Sequence, residues 1–243
     1  LHQAWLHFEE ALPLSWDDPL ILEDLLPAGL QHGREDLAEQ ALAVLVSRHG
    51  DPRLPWDRAT AAMHLLRKGR HVEALALVQA LPPDRRTQPL HWLAETVSRR
   101  QLGDREGAWG VIETAVGHLP GAFRLWMERY QIALELHRDE EALATLEQAR
   151  HTIPEGQEGD SLRQEWHLRR AEFAFWWEGQ PALAREHLER VPLDQQGDHH
   201  PPLRLQVLVA EGGYEVAYEE VQALLKRQAG DVDLLLLQAD CLA

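Results

Sequence analysis

Four residues recur in one order at one spacing: Trp92, Ala108, Ala115 and Pro120 stand 34 residues ahead of Trp126, Ala142, Ala149 and Pro154. A period of that length holds one pair of short helices and the turn between them. A lone pair has nothing to cover its apolar stripe, so copies must stack side by side and share a continuous core. The spacing commits the chain to a helical repeat array.

The period extends outward through the turns. Gly33 precedes Ala38 by five residues, and the same offset joins Gly69 to Ala74, Gly103 to Ala108, Gly179 to Ala184 and Gly212 to Ala217, with His137 standing in for glycine ahead of Ala142. Glycine ends the first helix in a left-handed conformation, and the small alanine lets the second helix come close. Leu42, Leu75, Ile112, Leu146, Leu188 and Val221 are expected to continue the buried face of the second helices. Successive alanines lie 36, 34, 34, 42 and 33 residues apart, so one unit carries an insertion, placed at Pro154 to Asp160 and read as a lengthened loop.

With 243 residues, 44% hydrophobic and 26% charged, the chain can bury a continuous core. The array is expected to span 1–243 as a single domain: an orphan second helix at 1–19, helix pairs at 20–52, 53–87, 88–121, 122–159, 160–197 and 198–230, and an orphan first helix at 231–243. Such ends imply a piece cut from a longer protein. No run approaches the roughly 18 apolar residues of a membrane helix, so no direct membrane insertion is expected. Leu1 opens no signal-peptide pattern, although a signal could already have been removed. A net charge of −16 repels phosphate backbones, which predicts no nucleic acid among the partners. The lone Cys241 excludes an internal disulfide but assigns no compartment, so a cytoplasmic location is the default and a periplasmic one stays open.

Period, turn glycine, small alanine and terminal proline together resemble the tetratricopeptide repeat family, most closely from Leu90 to Pro154. Paired helices alone would also suit other right-handed α-solenoids. The resemblance implies an all-α, right-handed α-solenoid of stacked antiparallel helix pairs, whose first helices line a concave groove. Glu95, Thr96 and Arg99 stand where the family has Leu, Gly and Tyr, so the first helix of that unit is expected to be rotated by one residue. Carried over in family register, the groove positions are Trp56, Ala59, Met63, Leu66 and Arg67, then Leu90, Leu93, Val97, Arg100 and Gln101. In the next units they are Arg124, Met127, Gln131, Leu134 and Glu135, then Trp166, Arg169, Phe173, Trp176 and Trp177.

Two readings of these positions stay open. Trp56, Trp166 and Trp176 suit either the groove or packing between helices. Arg67, Arg100, Arg124 and Arg169 suit either a row that pairs with carboxylates of a peptide or a salt-bridged surface. The family's carboxylate clamp is not expected, because it needs Lys and Asn and the chain has no Asn, although Arg could bind a terminal carboxylate in another way.

No phosphate loop, zinc-binding His-Glu-x-x-His pair, serine elbow or cysteine pair is present, so no enzyme activity, cofactor or metal is expected. Asp198, His199 and His200 read as a solvated turn. The expected function is a protein-protein interaction scaffold holding a protein or peptide in the concave groove. The alternative is the non-catalytic repeat arm of a larger enzyme of glycosyltransferase or sulfotransferase type, or of an exopolysaccharide export machine. Oligomeric state is left open.

Overall fold

The computed structural model describes residues 34, 36–37, 39–40, 58–81, 83, 86–192, 201–227 and 230–242. Ala38, Leu42, Trp56, Asp198, His199, His200 and the expected helix at 1–19 lie outside the described residues. From Arg58 onward the helices are α1 (Arg58–Arg67), α2 (His71–Gln79), α3 (Pro89–Gln101), α4 (Arg105–His118), α5 (Phe123–Glu135), α6 (Asp139–His151), α7 (Asp160–Trp176), α8 (Pro181–Leu188), α9 (Pro201–Ala210), α10 (Tyr214–Leu225) and α11 (Val232–Leu242). No strand occurs among the described residues, and none of their helices is long and apolar enough to cross a membrane.

The chain divides into two compact units, Leu1–Leu136 and His137–Ala243. In the first, α1 packs on α2 and α3, α2 on α3, α3 on α4 and α5, and α4 on α5. In the second, α6 packs on α7, α7 on α8, α8 on α9, α9 on α10 and α11, and α10 on α11. Within each unit every helix meets its successor, and α1, α3 and α9 each also meet the first helix of the following pair. That pattern is the nearest-neighbour stacking of a solenoid.

The turn residues do what their chemistry requires. Gly69, Gly103, Gly179 and Gly212 have φ of +74°, +84°, +62° and +84°, and His137, the non-glycine member of the series, has +57°. Arg70 N–H donates to Leu65 O, Asp104 N–H to Arg99 O and Gly213 N–H to Leu208 O, each at 2.9 Å, closing the helix with a six-to-one bond around the left-handed residue. Asp104 then starts α4 by accepting from Gly107 N–H at 3.0 Å. Five residues past each left-handed turn residue, Ala74, Ala108, Ala142, Ala184 and Ala217 are fully buried.

Ile112, Leu146, Leu188 and Val221 are buried as expected, four residues beyond the small alanine. Leu75 is a correction: it is half-buried, and Val78, four residues after Ala74, is the side chain that faces inward. The insertion is part loop and part helix. Gly156 (φ +83°) and the 3-10 turn Gln157–Gly159 form the loop, whereas α7 begins at Asp160 and runs 17 residues against 13 in α3 and α5.

The rotation expected of the first helix at Glu95 does not occur. Trp92 is buried at the repeat's usual position and donates its indole N–H to Arg86 O at 3.0 Å, as Trp126 does to Pro120 O at 2.8 Å. Glu95 and Thr96 keep the buried register. Instead of turning outward, Glu95 is held by the Arg86 guanidinium and, at 2.9 Å, by Arg99, while Arg86 also lies over the Trp92 ring. Burial pushes the Glu95 carboxyl up, but the two arginines outweigh it and hold it below its ordinary value.

Candidate binding surfaces

In the Leu1–Leu136 unit the groove row is half-buried rather than open. Met63, Leu93, Val97 and Gln131 are partly covered, Met127 is buried, and Arg67 and Arg124 are exposed. Arg100 bridges α3 to α5: it lies 2.5 Å from Glu128 and 3.4 Å from Glu135. Burial raises the Glu128 carboxyl, against the pull of Arg100. The guanidinium therefore ties two first helices together before any partner arrives.

In the His137–Ala243 unit, the aromatics of α7 part ways. Trp166 is buried and donates its indole N–H to Leu146 O at 2.7 Å, and Phe173 is buried with its ring stacked on Trp177 at 5.6 Å. Residues 166, 170, 173 and 177 share one helical face by their spacing, and Arg170 is buried on it too. Trp176 lies off that face and is 58% exposed, while Arg169 pairs with Glu172 at 2.8 Å. Trp176 lines a groove of about 430 Å³ across three first helices, with Phe175 of α7, Gln206, Val209 and Ala210 of α9, and Asp233, Leu236, Leu237 and Asp240 of α11. Sequence reasoning named Trp176 but missed the contribution of α11, whose apolar run Leu234 to Leu237 divides into two buried and two exposed side chains.

A second concavity of about 610 Å³ lies where α6, α7 and α8 meet. Arg150, Arg163, Arg170 and Arg190 line it together with Glu147, Glu186, Ile153, Trp166, His167 and His187. The two imidazoles touch Nδ1 to Nδ1 at 2.9 Å, so one ring donates and the other accepts, which a neutral pair of unlike tautomers can do. Burial, then the guanidinium groups of Arg190, Arg150 and Arg163, depress His167 to about 4. His187 is lowered to about 4 by burial, by His167 and by Arg170 and Arg190, against an opposing Glu186. No short motif in the sequence announces this cluster, because its members come from three helices and the turns that follow two of them.

No protein-family model matches the sequence, and no curated protein does. Solved structures do match. Human IFIT1 with m7Gppp-AAAA is 17% identical over 97% of this chain with a TM-score of 0.61, and IFIT1 with PPP-AAAA is 17% identical with a TM-score of 0.60. The chain spans about half the length of those proteins, 52% and 53%. A tetratricopeptide repeat protein from Parabacteroides merdae is 14% identical and matches 97% of this chain and 99% of its own, with a TM-score of 0.50.

These matches correct one expectation. Net charge of −16 led to the exclusion of nucleic acid, yet IFIT1, sharing the fold, is solved with RNA-type ligands, so an exclusion by total charge does not hold for this fold. Charge acts within a Debye length of about 10 Å, and basic groups can gather locally on an acidic chain. The chain is all-α and has the tetratricopeptide-like solenoid fold, a scaffold of repeated helix pairs.

Proposed function

We propose that this repeat scaffold holds a segment of a protein partner along its first helices, anchored in the groove between α7, α9 and α11. The observation that carries this reading is the exposure of Trp176 (58%) and Leu236 (62%) beside one concave, mainly apolar surface. A monomeric surface seldom leaves large apolar side chains together in a concavity without a use for them. At about 430 Å³ the groove takes one or two large side chains, which makes it an anchor rather than a whole interface. Asp233 and Asp240 beside it select a segment whose apolar residues are followed by Lys or Arg. Met63, Leu93, Val97, Gln131, Arg67 and Arg124 form a separate contact row of the Leu1–Leu136 unit. Met127, Trp166 and Phe173 serve this reading as packing behind the surface.

The test is selection from a random peptide library by the intact protein, run beside a Trp176→Ser/Leu236→Ser variant. Enrichment of apolar-basic segments that the variant fails to retain is expected. No enrichment, or equal retention by the variant, would discard the proposal.

A further inference from the structure

We propose that the concavity between α6, α7 and α8 is a binding site for a phosphate monoester carried on a side chain of a protein partner. Four guanidinium groups reach one space of about 610 Å³: Arg150 from α6, Arg163 and Arg170 from α7, and Arg190 from the turn that follows α8. They are not equally available. Arg170 is held by Glu178 at 2.7 Å and by Glu147 at 3.4 Å, Arg190 by Glu186 at 2.7 Å, and Arg163 by Asp160 and by Gly156 O, both at 2.9 Å. Arg150 has no carboxylate within ion-pair reach among the described residues, and its guanidinium instead lies over the Trp166 ring, 5.4 Å from the centroid.

Carboxylates pair with three of the four guanidinium groups and leave Arg150, and the imidazoles lie beside more guanidinium groups than carboxylates. The charged groups that act on His167 are three guanidinium groups and no carboxylate, and those on His187 include two guanidinium groups against the single Glu186. The half-buried His167 and the buried His187, kept neutral there, add a ring N–H donor without adding charge. A compact dianion is the ligand class that gains most from fork-shaped donors converging on a positive, partly desolvated space. A carboxylate brings one charge and two acceptor atoms, whereas a phosphate monoester brings nearly two charges and three.

The lining also indicates what carries the phosphate. Trp166 is only 4% exposed and Ile153 is the other apolar group lining the space, so a nucleobase finds no open ring to stack on. A phosphorylated side chain needs none. The identity of the carrier rests on the protein-scaffold reading above; the phosphate site itself does not.

The experiment titrates the whole chain at neutral pH with O-phosphoserine, serine, inorganic phosphate and adenosine 5′-monophosphate, by calorimetry. The double variant Arg150→Gln/Arg190→Gln runs in parallel; both positions are exposed, and its helical content and melting temperature serve as controls for folding. Saturable binding of phosphoserine and phosphate but not serine, weakened tenfold or more in the variant, is expected. In the wild type, phosphoserine should also move the His167 and His187 ring resonances, a readout that stands even if the variant folds poorly. No binding of either phosphate probe, or unmoved imidazole resonances, overturns the site. Adenosine monophosphate binding tenfold tighter than phosphoserine overturns the protein-borne carrier in favour of a nucleotide. A failure here leaves the groove at Trp176 untouched, since the two tests share no residue.

Discussion

A single left-handed residue decides where the first helix of each pair ends. Gly103 has φ +84° with open space where a side chain would project, so replacing it by alanine costs backbone strain and nothing else. Gly103→Ala is expected to destabilise by about 1 kcal/mol in urea melts, the strain being partly offset by a stiffer unfolded chain. His137→Gly, at the non-glycine member of the series, should be neutral to mildly stabilising, within about 1 kcal/mol. A loss for His137→Gly of the same size would show that the imidazole, not the turn, matters there. The His167 and His187 pair has a pH signature. Both are depressed from the usual 6.5 to about 4, so the unfolded chain takes up protons first as the solution is acidified. Their contribution is complete above pH 6.5 and is lost progressively between 6.5 and about 4. Thermal melts over that range should flatten in His167→Gln/His187→Gln; an unchanged slope would mean the imidazoles titrate freely.

At the level of the helix, α3 illustrates how a polar residue can hold an apolar position. Glu95 takes the place of a family leucine, and the element keeps its rotation because Arg86 and Arg99 accompany the carboxylate into the core. Removing one member leaves buried guanidinium charge uncompensated, so Glu95→Gln should cost about 3–5 kcal/mol. The Glu95 carboxyl sits below its ordinary value, so its share of the stability is present above that value and lost as pH falls through the lowered one. The variant should lack that acid-side decline, and chemical denaturation at neutral and acidic pH measures both effects. Replacing Glu95 together with Arg86 by apolar residues would test whether the pair serves rotation rather than stability. The element scale is also where sequence reading lost accuracy. Trp166 and Trp176 share one helix and one residue type, yet one packs against Leu146 and the other meets solvent, because the insertion starts α7 early and family register does not carry across it.

Across the whole molecule, stability is expected to be a sum of neighbouring contacts rather than one cooperative core. Leu146 on α6 is fully buried, so Leu146→Ala should cost about 2–5 kcal/mol. Hydrogen exchange should report the loss in α6, α7 and α8 while α3 and α4 keep their protection. Uniform loss of protection in all these helices would mean the chain unfolds as a single unit. The repeat length, the left-handed turns at Gly69, Gly103, His137, Gly179 and Gly212, and the buried alanines could all be read from residue spacing, because each depends on contacts within one helical pair. The polar core at Glu95, the bridge from Arg100 to α5, the open face of Trp176 and the cluster of guanidinium groups around His167 could not. Each of these brings together side chains from more than one segment of the chain, and the direction of a side chain there follows from how neighbouring segments pack against one another, which no local spacing encodes.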